Sequence, residues 1–346
     1  MQMLRKFGHA ALGLALVMLV SVAPVRAADT VTIGTVGSPS ANLWPLFIAI
    51  EKGFFTAENI KADLIYIPAS APAIQQVAAG SLDMSFSTGL VDPIRAAEQG
   101  AALAIARFEI QAPPYALIAK PSIKSLKDLK GKVVASNGQG SVSTYEVGKM
   151  LEREGLTIND VDLKVLPFTQ MGIAFKNGAI DAGILIPPFV WQLEEQGLAV
   201  PFASVDDLVQ PQPMTIAVIM ANSEWVKANP DLVQRYMTAW LKGVREYCQA
   251  YHGGSNRQEV LDELVNSKTE PRRELLEKYP WPARSPNGGI NVASMLDINK
   301  WYVKNKMSAV EFPADRVINS SFIDKAVAAA GPFQLQNKDS KLPGCR

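Results

Sequence analysis

Histidine and cysteine are scarce in this chain, with two of each in 346 residues. His9 lies in an N-terminal segment read below as removed, which leaves His252, in the loop-like stretch YHGGSN. A Ser-His-Asp or Cys-His apparatus would have to rest on that one residue, and a metal site of several histidines is excluded. His252 is therefore expected to be a solvated loop residue. Cys248 and Cys345 are too few and too far apart for a zinc motif, so neither a catalytic residue nor a metal nor a cofactor is expected. Phosphate-binding signatures are missing as well. The stretch SNGQGSVSTYEVGKM (136 to 150) has glycines ahead of a helical pattern, but Met150 follows Lys149 where a P-loop places a hydroxyl. The dinucleotide pattern starts at Gly138 and Gly140 and fails at Ser143.

A surplus of charge is also lacking. Arg5 and Lys6 precede the apolar run AALGLALVMLVSVA (Ala10 to Ala23), and VRA ends at Ala27 with small residues at the cleavage positions. This is the pattern of a secretory signal peptide cleaved after Ala27, and the run is short for a membrane span. No cysteine follows that could accept a lipid, so the expected location is the periplasm. Loss of Arg5, Lys6 and Arg26, with no acid among residues 1 to 27, takes the formal net charge from +1 to −2. Neither a nucleic-acid surface nor a basic membrane-docking face is indicated. The remaining length of about 320 residues suggests about two domains.

What is present is a regular alternation of short apolar runs and amphipathic segments from residue 31 to about 204, the signature of α/β units with mostly parallel strands. Two series echo each other at an offset of 98 residues. IQQVAAGSLDMSF places Gly80 and Asp83 where GIAFKNGAIDAGI places Gly178 and Asp181, each glycine ending a helix and each aspartate opening a strand. Two similar lobes are one reading, and chance likeness of two helix-turn-strand units is the other. Between them, QAPPYALIAK (Gln111 to Lys120) and VQPQPMTIAVIMA (Val209 to Ala221) read as extended crossings, because paired prolines disfavour helix. Asn229 is expected to cap, and Pro230 to start, a long helix with an apolar stripe at Val233, Met237, Trp240, Leu241, Val244 and Cys248.

Six segments joining strand ends to helices are rich in small polar residues: GSPSAN, PASAP, STGLVDP, NGQGSVST, FTQMG and IPPFVW. All would lie at the carboxyl edge where open α/β sheets bind ligands. Helix capping alone would also place Ser, Thr and Asn there. The candidate ligand residues from the first series are Ser38, Ser40, Asn42, Trp44, Ser70, Ser87 and Thr88. From the second they are Asn137, Gln139, Ser141, Ser143, Thr144 and Phe189. Asp92 is the one ionised residue in these loops, and its place before Pro93 reads as a helix cap. Arg95 and Arg107 are fallback cations for an anionic ligand. Trp191 reads as core.

The segments PLFIAIEKGFF, IQQVAAGSLDMSFSTG, SIKSLKDLKGKVVAS, GAIDAGILIPPFV and SFIDKAVAAAG resemble, in order and spacing, the periplasmic substrate-binding proteins of ABC importers. The branch is the one with alkanesulfonate, taurine, nitrate and thiamine-precursor binding proteins. The resemblance implies an α/β, two-lobed periplasmic binding protein of type II with a two-strand hinge. Residues 28-119 and 216-346 would form lobe 1 with the C-terminal helices, and 120-215 lobe 2. It further implies a monomer that binds a small organic molecule, a sulfonate, aromatic acid or heterocycle, and presents it to a permease with its ATPase. Relatives often carry an acid before the Pro-Phe pair; here Pro187 stands there. A thiamine-pyrimidine-synthase-like enzyme on the same fold and a periplasmic sensor module are the alternatives.

Overall fold

The computed structural model describes residues 27–36, 40–89, 91–98, 103–106, 116–204, 208–309, 311 and 318–346, with side chains of 87, 88, 94, 95, 97, 98 and 103–106 outside the description. The first lobe begins with β1 (Asp29–Val36), a single turn of 3-10 helix at Ala41–Leu43, α1 (Trp44–Glu51) and α2 (Phe54–Ala57). It continues through β2 (Ile60–Ile67), α3 (Ser70–Ala78), β3 (Met84–Thr88), α4 (Val91–Glu98) and β4 (Leu103–Ala106). The second lobe runs β5 (Ala116–Ala119), β6 (Val133–Ser136), α5 (Val142–Glu152), β7 (Asp162–Val165), α6 (Phe168–Lys176), β8 (Ala182–Leu185), α7 (Phe189–Glu195) and β9 (Val200–Ser204). The chain then returns through β10 (Val218–Asn222) and α8 (Ser223–Ala228) to the long α9 (Pro230–Tyr251). It closes with α10 (Arg257–Asn266), α11 (Arg273–Lys278), α12 (Val292–Lys304), β11 (Ile318–Asn319) and α13 (Ser321–Ala330).

The two sheets repeat one plan. The first has the order β11-β4-β10-β3-β1-β2 and the second β7-β6-β8-β5-β9. In each, one strand is antiparallel to both neighbours: β10 against β3 and β4, β5 against β8 and β9. Each of these strands is the first that the chain lays down after the other lobe's sheet. The echo read from the sequence has matching geometry. Gly80 and Gly178 both have φ +72°, a backbone that glycine adopts without a Cβ penalty. Asp83 accepts from the Thr32 N–H at 2.8 Å and donates its own N–H to Thr32 O at 3.1 Å; Asp181 does the same with Val133, at 3.1 and 2.8 Å. Both aspartates therefore clamp the start of a neighbouring parallel strand.

Three expectations shift. Ala116–Ala119, assigned above to the first lobe, is an apolar run that pairs with β8 and β9 in the second sheet. Asn229 stands at the N-cap of α9 without capping it; its Nδ2 donates to Trp225 O and closes α8 instead. The C-terminal segment is not confined to lobe 1. Trp301 of α12 packs so tightly on α5 that a Cβ at Gly148 would lie 1.9 Å from its ring. Lys149 pairs with Asp297 at 3.3 Å and Lys304 with Glu152 at 3.1 Å. The same helix holds the returning crossing, where Ser294 Oγ accepts from the Thr215 N–H at 2.9 Å and Asn291 Nδ2 donates to Pro213 O at 2.7 Å. The stripe of α9 is as read: Val233, Met237, Trp240, Leu241, Val244 and Cys248 are all buried. Of the first crossing, residues 111 to 115 lie outside the described residues. Among the described residues no helix is long and apolar enough to cross a membrane.

Candidate functional site

The two lobes meet along the carboxyl edges of their sheets. Ala41 N–H, in the turn after β1, donates to Pro187 O, in the turn after β8, at 2.9 Å. A Cβ at Gly89 would lie 3.6 Å from Ser141 Cα, and one at Gly140 would strike the Asp92 carboxylate at 2.2 Å. At Gly140 the missing Cβ is what leaves room for the Asp92 side chain, whereas a Cβ at Gly89 would make only ordinary contacts. Between these contacts remains a narrow pocket of ≈ 30 Å³. Its walls are Val36, Asn42, Ser70 and Gly89 from lobe 1, Asn137, Ser141, Val142, Ser143 and Phe168 from lobe 2, and Ile216 and Ala217 from the returning crossing. The lobes are closed on one another.

The hydroxyls of the 137 to 144 loop build the loop. Ser141 and Ser40 occupy N-cap positions, but neither side chain caps its helix, so capping does not account for them. Ser141 Oγ donates to Gly138 O at 2.6 Å and lies 2.7 Å from Ser143 Oγ, which accepts the Asn137 N–H at 2.9 Å. Thr144 Oγ1 lies 2.7 Å from Ser136 Oγ and 2.8 Å from Gly138 O. Tyr302 of α12 completes the support, its hydroxyl donating to Ser141 O at 2.5 Å. Across the cleft, Ser70 Oγ accepts the Gly89 N–H at 3.0 Å. Two polar atoms are left over. Asn137 Oδ1, at the pocket, and Ser40 Oγ, beside it in sequence to Ala41, are buried with no hydrogen-bond partner among the described residues.

Asn42, Ser70, Asn137, Ser141 and Ser143 of the sequence candidates thus line the pocket, with Thr144 behind them. Others stand elsewhere. Trp44 is fully buried in an aromatic cluster with Trp191, Tyr247 and Trp281, ring centres 5.9, 6.4 and 5.4 Å away, so it is core shared by the lobes. Trp191 belongs to that core, as expected. Phe189 stacks on Phe168 at 6.2 Å and faces a groove between α6 and α7 of ≈ 450 Å³ instead of the pocket. Gln139 is exposed at the tip of its turn. Asp92 is no cap, because α4 starts at Val91 and puts Asp92 in its first turn, against Gly140. Ser38 and Arg107 lie outside the described residues, as do the side chains of Ser87, Thr88 and Arg95.

Sequence reasoning passed over Phe168, Val36, Val142 and the pair Ile216 and Ala217. FTQMG and IPPFVW join strand ends to helices, and the helices start within them, α6 at Phe168 and α7 at Phe189. The apolar lining carries no signal distinct from core, and only the polar half of the pocket announces itself. The histidine is a further correction. His252 is 2 % exposed, with Nδ1 2.7 Å from Ser340 Oγ and Nε2 3.0 Å from Gly344 O, and burial lowers its pKa. Among the described residues no group of three or more His, Cys, Asp or Glu could hold a metal ion.

With two matched sheets, an antiparallel strand in each and a pocket between them, residues 40–250 match the profile described as NMT1/THI5 like. The chain belongs to the NMT1/THI5-like family. Two curated relatives are similar to it. The riboflavin-binding protein RibY of Chloroflexus aurantiacus is 24% identical over 220 residues, 62% of this chain and 62% of RibY, so the match spans less than two thirds of that protein. The formylaminopyrimidine-binding protein of Halalkalibacterium halodurans is 23% identical over 318 residues, 86% of this chain and 93% of that one. The fold is that of the two-lobed periplasmic binding proteins. The alkanesulfonate-binding protein SsuA of Xanthomonas axonopodis pv. citri, bound to MOPS, superposes with a TM-score of 0.71 at 18% identity, covering 85% of this chain and 100% of SsuA. The desulfurization enzyme DSZB shares the architecture of this NMT1/THI5-like chain too, with a TM-score of 0.60 at 14% identity over 88% of this chain and 100% of the enzyme.

Proposed function

We propose that this protein is an exported solute receptor. Residues 1 to 27 direct it out of the cytoplasm and are removed, and the mature monomer binds one small organic molecule between its lobes. It then delivers that molecule to an ABC permease driven by its ATPase. The observation that carries the reading is the pocket itself, where polar loops from two topologically equivalent lobes converge on one point. A ligand touching both lobes favours the closed form by the contacts it makes only there. RibY, the formylaminopyrimidine-binding protein and SsuA are named for a flavin, a pyrimidine and sulfonates, which supports a heterocycle, an aromatic acid or a sulfonate as the ligand class.

The DSZB fold favours an enzyme as the second reading. Fold does not decide between them, since one scaffold hosts many functions. Weighing against catalysis, Cys248, Cys345 and His252 are gathered where the chain's tail meets the end of α9 and none lines the pocket. A thermal-shift screen of the mature protein over sulfonates, aromatic carboxylates, pyrimidines, flavins and small amines tests the proposal. A ligand at 100 times its Kd adds about 2.7 kcal/mol of stability. A flat screen across all classes would contradict a receptor for such molecules.

A further inference from the structure

Two thiols are buried together where the tail folds back on the molecule. Cys248 is on the inner face of α9 and Cys345 is the penultimate residue, and neither has any exposed surface. One residue brings them together. Arg284 donates its N–H to Cys345 Sγ at 3.2 Å, and its carbonyl accepts the Cys345 N–H at 2.9 Å and faces Cys248 Sγ at 3.8 Å. Burial pushes the Cys248 thiol well above its ordinary pKa, and the neighbouring Cys345 adds to it. The tail is anchored on both sides of Cys345's approach: Tyr251 OH donates to Pro343 O at 2.8 Å, Gln249 Nε2 to Gln334 O at 2.7 Å, and His252 meets Ser340 and Gly344. Everything needed to hold two sulfurs in register is supplied by other contacts.

We infer that Cys248 and Cys345 form a disulfide that staples the C-terminal tail to α9. The inference rests on the export reading above, because such bonds persist in oxidising compartments. Each thiol gives up its proton and the sulfur pair gives up two electrons. A small-molecule or protein disulfide takes them by exchange and leaves as two thiols. The bond closes a loop of about a hundred residues, long enough to restrict the unfolded chain strongly. Its burial shields it from reductants once formed.

The test needs no knowledge of the ligand or of export. The mature chain, residues 28 to 346, is denatured, reduced, and refolded in a buffer of oxidised and reduced glutathione. Free thiols are then alkylated under denaturing conditions and counted by mass. The expected product carries no alkyl group, is lighter by two hydrogen atoms than the reduced chain, and yields a peptide pair linking Cys248 to Cys345. Its urea midpoint is higher than that of the same preparation kept reduced. Cys345→Ser refolded in parallel retains one thiol, at Cys248, either free or capped by glutathione. Native wild-type protein with two alkylatable thiols would overturn the inference. Export is read separately from the first residue of protein recovered outside the cytoplasm, so failure of one reading leaves the other standing.

Discussion

Asn137 is the side chain whose loss reports most directly on the pocket. Its Oδ1 has no partner among the described residues, while its N–H is already held by Ser143. Asn137→Ala removes the side-chain carboxamide at the pocket and keeps the backbone N–H bond to Ser143, so ligand affinity is expected to fall about five- to hundred-fold, the equivalent of about 1 to 3 kcal/mol, with the unliganded melting temperature nearly unchanged. The double change Ser141→Ala, Ser143→Ala behaves differently. Those hydroxyls brace the loop on itself, so affinity and unliganded stability should drop together, the latter by about 1 to 2 kcal/mol. Calorimetric titration and a melting curve on each variant separate the two roles. A third residue governs pH dependence. Lys52 is met by Glu259 at 2.7 Å, Glu263 at 3.4 Å and Glu246 at 3.6 Å. Burial pushes Glu263 from 4.5 up to about 7, against the pull of Lys52. The folded protein therefore holds this proton more tightly than the unfolded chain does. The stability it contributes is full below pH 4.5 and is lost as pH rises to about 7. Melting temperatures of wild type and Glu263→Gln across that window check this, since the glutamine variant should lack that part of the decline.

Helix α12 is the element that holds lobe 2 to the returning crossing. It touches α5 and the loop at Ser141 on lobe 2 and the crossing at Pro213 and Thr215. Gly148→Val places methyl groups where Trp301 stands. Overpacking of this kind costs about 1 to 3 kcal/mol, and the expected signs are a lower melting temperature and a changed Trp301 environment in fluorescence. Tyr302→Phe, which loses only the bond to Ser141 O, should weaken ligand binding more than it lowers stability. An unchanged affinity in Tyr302→Phe would remove α12 from the site's support. None of this was legible in the sequence, because contacts 150 residues apart leave no local period. What was legible was local: the strand-helix alternation, the glycines that end α3 and α6 with positive φ, and the buried stripe of α9. His252 and Trp44 mark the boundary. Their neighbours suggested a loop and a cleft mouth, and only the returning tail and the opposite lobe bury them.

At the scale of the whole molecule, the space of ≈ 30 Å³ between the lobes is narrow, and the lobes are expected to part to admit a ligand of the classes proposed above. The returning crossing, 208 to 217, leads from β9 of the second sheet to β10 of the first, and it is expected to flex when the lobes part.

A reversible lock across the cleft tests that claim most directly. Gly89 and Ser141 belong to opposite lobes, and a Cβ at Gly89 would lie 3.6 Å from Ser141 Cα, which keeps the two Cα atoms within about 5 Å, inside the roughly 4.4 to 6.8 Å span of disulfide-linked residues. Gly89→Cys with Ser141→Cys, oxidised in the absence of ligand, holds the lobes together. Titration with a ligand from the screen should give no binding to the oxidised protein and restored binding after reduction of the engineered bridge, verified by mapping the linked peptides. Binding of the same ligand to the locked form, with the affinity of the reduced one, would contradict a site between the lobes.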